Sequence, residues 1–325
     1  MRRNKKRMSA LLIMLSVGSI FCAGCGAKTE SGGKHYVALI SKSTESAFWK
    51  SVFAGASAAA TEYNLQLSFD GPLREEDYET QNKMIEEAVE KGAEVIVFSA
   101  VDYNANSEAI NKAAKSGVKI VVIDSDVNSD QVSCRIGTDN FAAGKMAGEA
   151  ALETKEEELY IGIVNYGVNT ANGQQREQGF RERAGADERV KEMHTINVLS
   201  TTEDARQGTT DMLAEHPEIN VIVTFNEWTS LGVGWAIRDL DLADATQVVA
   251  FDSNVVSVGM LETGEVDALI VQNPYAMGYL GIENAYHLMN GMPVTGEVVD
   301  TATTCVTREN MFEPECQRML FAFDR

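Results

Sequence analysis

The chain is short of positive charge, cysteine and histidine, and each shortage narrows what it can do. Lys and Arg number 28 against 48 Asp and Glu, for a net charge of −20 at pH 7. Such an acidic surface argues against nucleic acid or an anionic bilayer as the binding partner, since both attract basic residues. The four histidines, His35, His194, His216 and His287, are scattered, with no HExxH or other close metal-ligand spacing. No GxxxxGKS/T phosphate loop and no G-x-S-x-G nucleophile elbow occur, and Gly232-Val233-Gly234 lacks the strand–turn–helix spacing of a dinucleotide site. Neither metal nor cofactor is expected. Paired acids such as Asp124 and Asp126 keep acid–base chemistry open as a rival reading, to be judged by turnover of a glycoside.

What is present begins with an address. Arg2, Arg3, Lys5, Lys6 and Arg7 precede an apolar run from Leu11 to Phe21, which ends in Cys22-Ala23-Gly24-Cys25. A basic region, a short apolar region and small residues before a break make an export signal, and the run is too short to span a bilayer comfortably. The small pair before Cys25 resembles the lipobox of bacterial lipoproteins. That resemblance implies cleavage after residue 24, lipid on Cys25 and a mature chain tethered to the cell membrane outside the cytoplasm. An ordinary secretory signal, or a single anchor without lipid, would carry the same basic and apolar regions. Of the five cysteines, Cys134, Cys305 and Cys316 lie beyond this segment. Cys305 and Cys316 are close enough in sequence to bridge, and Cys134 is expected as a small apolar residue in a strand.

The remaining chain, roughly 300 residues, is long enough for two domains of ordinary size. Its apolar share of 44% is that of a globular protein. Residues 25–35 suit a short polar tether. From residue 36 compact apolar runs alternate with amphipathic stretches. Strands are expected at 36–40, 65–69, 93–98, 118–123, 159–164, 195–199, 219–225, 247–251 and 268–271. Helices fit at 47–63, 76–91, 104–116, 141–154, 174–185, 203–215, 228–238, 254–263 and 275–290. This repetition implies an α/β fold of two similar Rossmann-like lobes, each a parallel sheet flanked by helices.

In such sheets ligands gather beyond the carboxyl ends of the strands. The residues there are Lys42 to Trp49, Asp124 to Asp126, Asn226 to Trp228, Asp252, and Gln272 with Asn273. Carboxylates and amides bond hydroxyls, and aromatic rings stack on apolar faces, so a sugar ring would meet both kinds of surface. Asp and Asn after strands are also ordinary helix caps, which is the simpler account of Asp139, Asn140, Ser200 and part of the run Ser43 to Ser46. Capping explains the aromatics less well, and core packing is the lesser reading of Trp49 and Trp228.

Seven segments, in order, resemble the periplasmic binding proteins of the ribose/galactose type, the sugar-binding subunits of ABC importers. They are Val37-Ala38-Leu39-Ile40 with Ala47-Phe48-Trp49; Val121-Val122-Ile123-Asp124-Ser125-Asp126; Ile136-Gly137-Thr138-Asp139-Asn140; Gln175-Arg176-Glu177-Gln178-Gly179-Phe180; Phe225-Asn226-Glu227; Val249-Ala250-Phe251-Asp252; and Gln272-Asn273-Pro274. The resemblance implies a first lobe of 36–138 plus 273–302 and a second of 139–272 plus 303–325, joined by three crossings. It implies ligand-binding roles for Ser46, Phe48, Trp49, Asp124, Ser125, Gln174, Asn226, Trp228, Asp252 and Gln272. It further implies a monomer that hands a monosaccharide-like ligand to a membrane permease. Ribose binders have arginine at the places of Ser125 and Gln174, so ribose itself is disfavoured, and Arg176 is read as serving structure or the lobe edge. Quorum-signal, polyol or nucleoside receptors of the same architecture, and sensors feeding a kinase, remain alternatives. A repressor built on the fold is disfavoured, since its basic helix-turn-helix would stand where the signal does.

Overall fold

The computed structural model describes residues 34–321; the signal, Cys25 and residues 322–325 lie outside the described residues. The chain opens with β1 (Tyr36–Ile40), α1 (Ala47–Glu62), β2 (Gln66–Asp70), α2 (Tyr78–Glu90), β3 (Val95–Phe98), α3 (Ser107–Lys115), β4 (Lys119–Ile123) and β5 (Val132–Gly137). It continues through α4 (Asn140–Ala151), β6 (Leu159–Tyr166), α5 (Ala171–Ala184), β7 (Val190–Val198), α6 (Thr202–Glu215), β8 (Val221–Thr224), α7 (Glu227–Asp239), β9 (Gln247–Phe251), α8 (Val255–Thr263) and β10 (Ala268–Val271). Then come α9 (Pro274–Met289), β11 (Val298–Asp300), β12 (Thr304–Thr307) and α10 (Pro314–Leu320).

Two six-stranded sheets result, in the orders β11-β5-β4-β3-β1-β2 and β12-β10-β9-β8-β6-β7. Their central strands β3, β8 and β10 are buried at every residue, as helices on both faces require. The chain passes between the sheets after Gly137, after Val271 and after Asp300. The two-lobed α/β architecture expected from the strand–helix repetition is therefore present. The helices start on side-chain caps from Ser46, Asp77, Asp139, Thr201, Asn226, Asn254 and Asn273, each accepting a backbone N–H of the first turn.

Each lobe also holds one helix pair in unusually close contact. In the first, a Cβ on Gly55 would strike the Tyr275 carbonyl and one on Gly278 the Val52 carbonyl. In the second, Gly144 faces the Arg176 carbonyl and Gly179 the Phe141 carbonyl in the same way. This close approach of α4 and α5 sets the backbone from which Arg176 projects.

Some elements escape the sequence pattern. β11, β12 and α10 were not among the expected elements, β5 was expected only through Cys134, and β7 begins five residues earlier than expected. β11 spans only three residues and β7 is an edge strand carrying Lys191 and Glu192, so apolar runs are weak there. β12 departs from the expectation of parallel pairing. The third crossing delivers the chain at the end of β10, with Thr304 opposite Val271, so the strand must run back antiparallel. Cys134 is buried in β5 as expected, while Cys305 and Cys316 are free thiols, without the bridge their spacing allows.

Candidate functional site

Between the carboxyl ends of the two sheets lies a small, nearly filled cavity. Its lining brings together Ser46, Phe48, Trp49, Asp124, Asn226, Trp228, Asp252 and Gln272, eight of the ten residues expected from sequence. Lys42, Glu75, Tyr166, Asn172, Arg176 and Glu227 complete the wall.

Two expected residues stand elsewhere. Gln174 is exposed on α5, two positions from buried Arg176 and so on nearly the opposite side of the helix. Ser125 is fully buried behind Asp124 and does not reach the cavity; its Oγ has no hydrogen-bond partner. Arg176, read as serving structure or the lobe edge, does the first and also lines the cavity. It is 1% exposed at the base of the cleft rather than at a lobe edge. Its Nε donates to Asn140 Oδ1 (2.8 Å), Nη1 to the Phe225 carbonyl (2.6 Å) and Nη2 to Gln272 Oε1 (2.6 Å), and the guanidinium lies 4.8 Å over the Phe251 ring. Asn140 and Ser200, read from sequence as caps, instead support this site. Ser200 Oγ donates to Glu75 Oε2 (3.0 Å) and accepts from Asn226 Nδ2 (2.7 Å).

The first lobe supplies an aromatic corner. Phe48 and Trp49 meet edge to face with centroids 5.0 Å apart, and Trp49 Nε1 donates to Glu75 Oε1 (3.0 Å). Glu75 also lies 3.5 Å from Lys42 Nζ, which sits 5.0 Å over the Tyr166 ring of the second lobe. Burial pulls the Lys42 pKa down, but Glu75, then Tyr166 and Asp124, more than reverse this, so the ammonium stays charged. Burial likewise pushes the Tyr166 hydroxyl up to about 12.

Asp124 and Asp252 occupy corresponding places, directly after the third strand of each sheet. Both have left-handed backbone, with φ of 57° and 68°. That conformation is uncommon for a residue with a side chain, although Asp tolerates it. Asp124 accepts from Ser99 Oγ (2.9 Å) and, across the cleft, from Asn172 Nδ2 (3.1 Å). Asp252 Oδ1 accepts from Gln272 Nε2 (2.6 Å). Burial raises the Asp252 carboxyl to about 7, against the opposing pull of Arg176 and Gln272. Gln272 in turn accepts from Thr138 Oγ1 (2.8 Å), so one amide joins two of the crossings to the cavity.

The lobes are held shut by further bonds. Glu227, at the start of α7, accepts from the backbone N–H groups of Ala47 (3.1 Å) and Phe48 (3.0 Å) at the start of α1. A carboxylate at a helix N-terminus satisfies orphan donors and faces the positive end of the helix dipole. Asn254 Nδ2 steadies it at 3.0 Å, and burial raises the Glu227 pKa against those bonds. The Ser200 N–H donates to Glu76 Oε1 (2.6 Å), and the Tyr103 N–H to the Asn169 carbonyl (3.0 Å). The arrangement is a cleft shut by contacts between the lobes, with an aromatic wall and both hydrogen-bond donors and acceptors, a chemistry matched to a small polyhydroxylated ring.

Comparison with known proteins agrees. A family model described as a periplasmic binding protein domain matches residues 37–293. The D-ribose/D-allose-binding protein of Pseudomonas aeruginosa is 26% identical over 321 residues, covering 94% of this chain and 99% of the relative. A carbohydrate transporter solute binding protein from Agrobacterium radiobacter, solved in complex with D-arabinose, superposes with a TM-score of 0.86 at 29% identity, covering 89% of this chain and all of that one. An ABC transporter solute binding protein from Agrobacterium vitis, solved with bound D-fucose, gives 0.84 at 29% identity over 88% and 99%.

Proposed function

Because the chain belongs to the periplasmic binding protein family, we propose that it is an extracytoplasmic solute receptor that closes its two lobes on one monosaccharide and delivers it to an ABC importer. The observation that carries this reading is the chamber itself, to which each lobe contributes one wall. Phe48 and Trp49 would cover the C–H face of a sugar ring. Asp124, Asp252 and Asn226 would accept or donate at its hydroxyls, with Lys42 and Arg176 supplying charged donors. Ser46 and Asn226 already spend side-chain oxygens on helix caps, so they fix the shape of the wall as well as touching the ligand. A neutral aldose is the favoured class, in keeping with the sugars named for the relatives.

Ligand bonded to both walls favours closure through its greater affinity for the closed state. Buried hydroxyls without partners cost on the order of 1–3 kcal/mol each, which lets the chamber reject near-isomers. A thermal-shift screen of pentoses, hexoses, polyols and nucleosides, followed by calorimetry, tests the assignment. An aldose is expected to bind saturably at one site without turnover; a nucleoside as the tightest ligand, or product formation from a glycoside, would overturn it. We further propose that Cys25 carries the lipid tether, supported by the basic and apolar segments before it. Cys25→Ser should then move the protein from the membrane fraction to the soluble one; unchanged membrane retention would exclude the lipid.

A further inference from the structure

Far along the second lobe, at the opposite end from the cleft, side chains scattered in sequence converge. His194 lies in the edge strand β7, His216 follows the last residue of α6, and Glu218 precedes β8. One ligand atom from each lies within 4.8 Å of the others. His216 Nδ1 is 3.3 Å from Glu218 Oε1, and His194 Nε2 is 3.7 Å from the same oxygen. Two ligands on a tetrahedral zinc, with bonds of about 2.0–2.2 Å, stand roughly 3.3–3.6 Å apart. Glu218 Oε1 is therefore already near coordination spacing from both rings.

His194 is the telling residue. Alternate β7 side chains share a face, and the neighbours on that of His194, Ile196 and Val198, pack against the apolar cluster that includes Met212, Leu213 and Ile219. A histidine here ends the apolar stripe, with Glu192 next on the same face. Its Nε2 is shielded from solvent and, without hydrogen-bond geometry, stands at ion-pair distance from Glu192 Oε2 (3.1 Å) and Glu218 Oε1 (3.7 Å). A ring nitrogen without a hydrogen bond, faced by two carboxylates, is arranged for a cation. The two rings stack with centroids 3.7 Å apart and planes inclined by 23°, so binding requires the imidazoles to rotate toward a common point.

We propose that His194, His216 and Glu218 form a site for a divalent first-row transition ion, zinc in particular, with Glu192 beside the fourth position. Imidazole nitrogen selects zinc over calcium and magnesium, which prefer oxygen ligands. The ion ties the edge strand to the end of α6 and to the turn entering β8, and so stabilises the second lobe without touching the cleft.

The test uses the full chain stripped of metal by a chelator and titrated with Zn²⁺ by calorimetry, with Ca²⁺ and Mg²⁺ as controls. One zinc is expected to bind with micromolar or tighter affinity and to raise Tm, while neither control shifts it. His216→Ala, at the half-exposed cap, and His194→Gln should each lower zinc affinity at least tenfold with sugar affinity unchanged. Cobalt(II) in place of zinc should give the visible bands of a four-coordinate nitrogen and oxygen site. No saturable zinc binding below about 100 μM, unchanged affinity in both variants, or thiolate-type cobalt bands would each overturn the proposal.

Discussion

The two lobes repeat one plan but furnish the cleft differently. Each ends its third strand in a left-handed aspartate, and each packs two helices through a pair of glycines. Yet Asp124 in the first lobe is bonded by Ser99 and by Asn172 from across the cleft, and remains partly exposed. Asp252 in the second is fully buried, which raises its carboxyl to about 7 against the opposing pull of Arg176 and Gln272. The shared backbone fixes where a carboxylate points; the depth of burial sets Asp252 apart. The first lobe presents Phe48, Trp49 and a helix N-terminus beside Lys42, Glu75 and Asp124, and the second answers with Tyr166, Asn172, Arg176, Asn226, Glu227 and Asp252.

Removing the second lobe's polar groups should have the largest effect. Asp252→Ala and Asn226→Ala should each weaken sugar binding at least tenfold by calorimetry while circular dichroism shows the fold intact; unchanged affinity would remove the residue from the site. The next test concerns the proton on Asp252. A carboxyl raised from its ordinary value to about 7 is protonated in the closed, unliganded form below that pH. If a sugar hydroxyl donates to the ionised form, binding releases a proton, so affinity should rise by up to about tenfold from pH 6 to pH 8 and level off above 7. Asp252→Asn should flatten that profile. For stability the sign is opposite: the raised carboxyl favours the fold at low pH, and this contribution is lost as pH climbs from the unfolded value toward 7.

A smaller effect is expected at the contact between lobes. Glu227→Gln keeps the shape but removes the charge at the start of α1, and should lower affinity about fivefold, consistent with roughly 1 kcal/mol for such a pairing. The smallest is Gln174→Ala, which should change affinity less than twofold because the side chain lies outside the chamber.

Much of this cleft was legible because its residues directly follow apolar strands. Asp124, Asn226, Asp252 and Gln272 each stand one or two places beyond a run that marks its own end. Lys42 and Glu227 lay in the same strand-end loops, but nothing in the loops distinguished them from surface charge. Tyr166 was missed because β6 continues two residues past the expected end. Asn172 and Arg176 were hidden within α5, whose buried face carries asparagine, arginine and glycine beside Phe180, so apolar periodicity barely marks it. Glu75 sits in an acidic loop between β2 and α2 and gains its role only through Trp49, Lys42 and Ser200. The histidine cluster shows the same limit, since His194, His216 and Glu218 meet only after β7, α6 and β8 are assembled.

Small-angle X-ray scattering of the protein with and without a saturating aldose tests the central claim most directly. Closure of two walls on one sugar predicts a smaller radius of gyration when ligand is added, with Asp252→Ala held at the unliganded value under the same conditions. A sugar that binds fully by calorimetry yet leaves the scattering curve unchanged would contradict it.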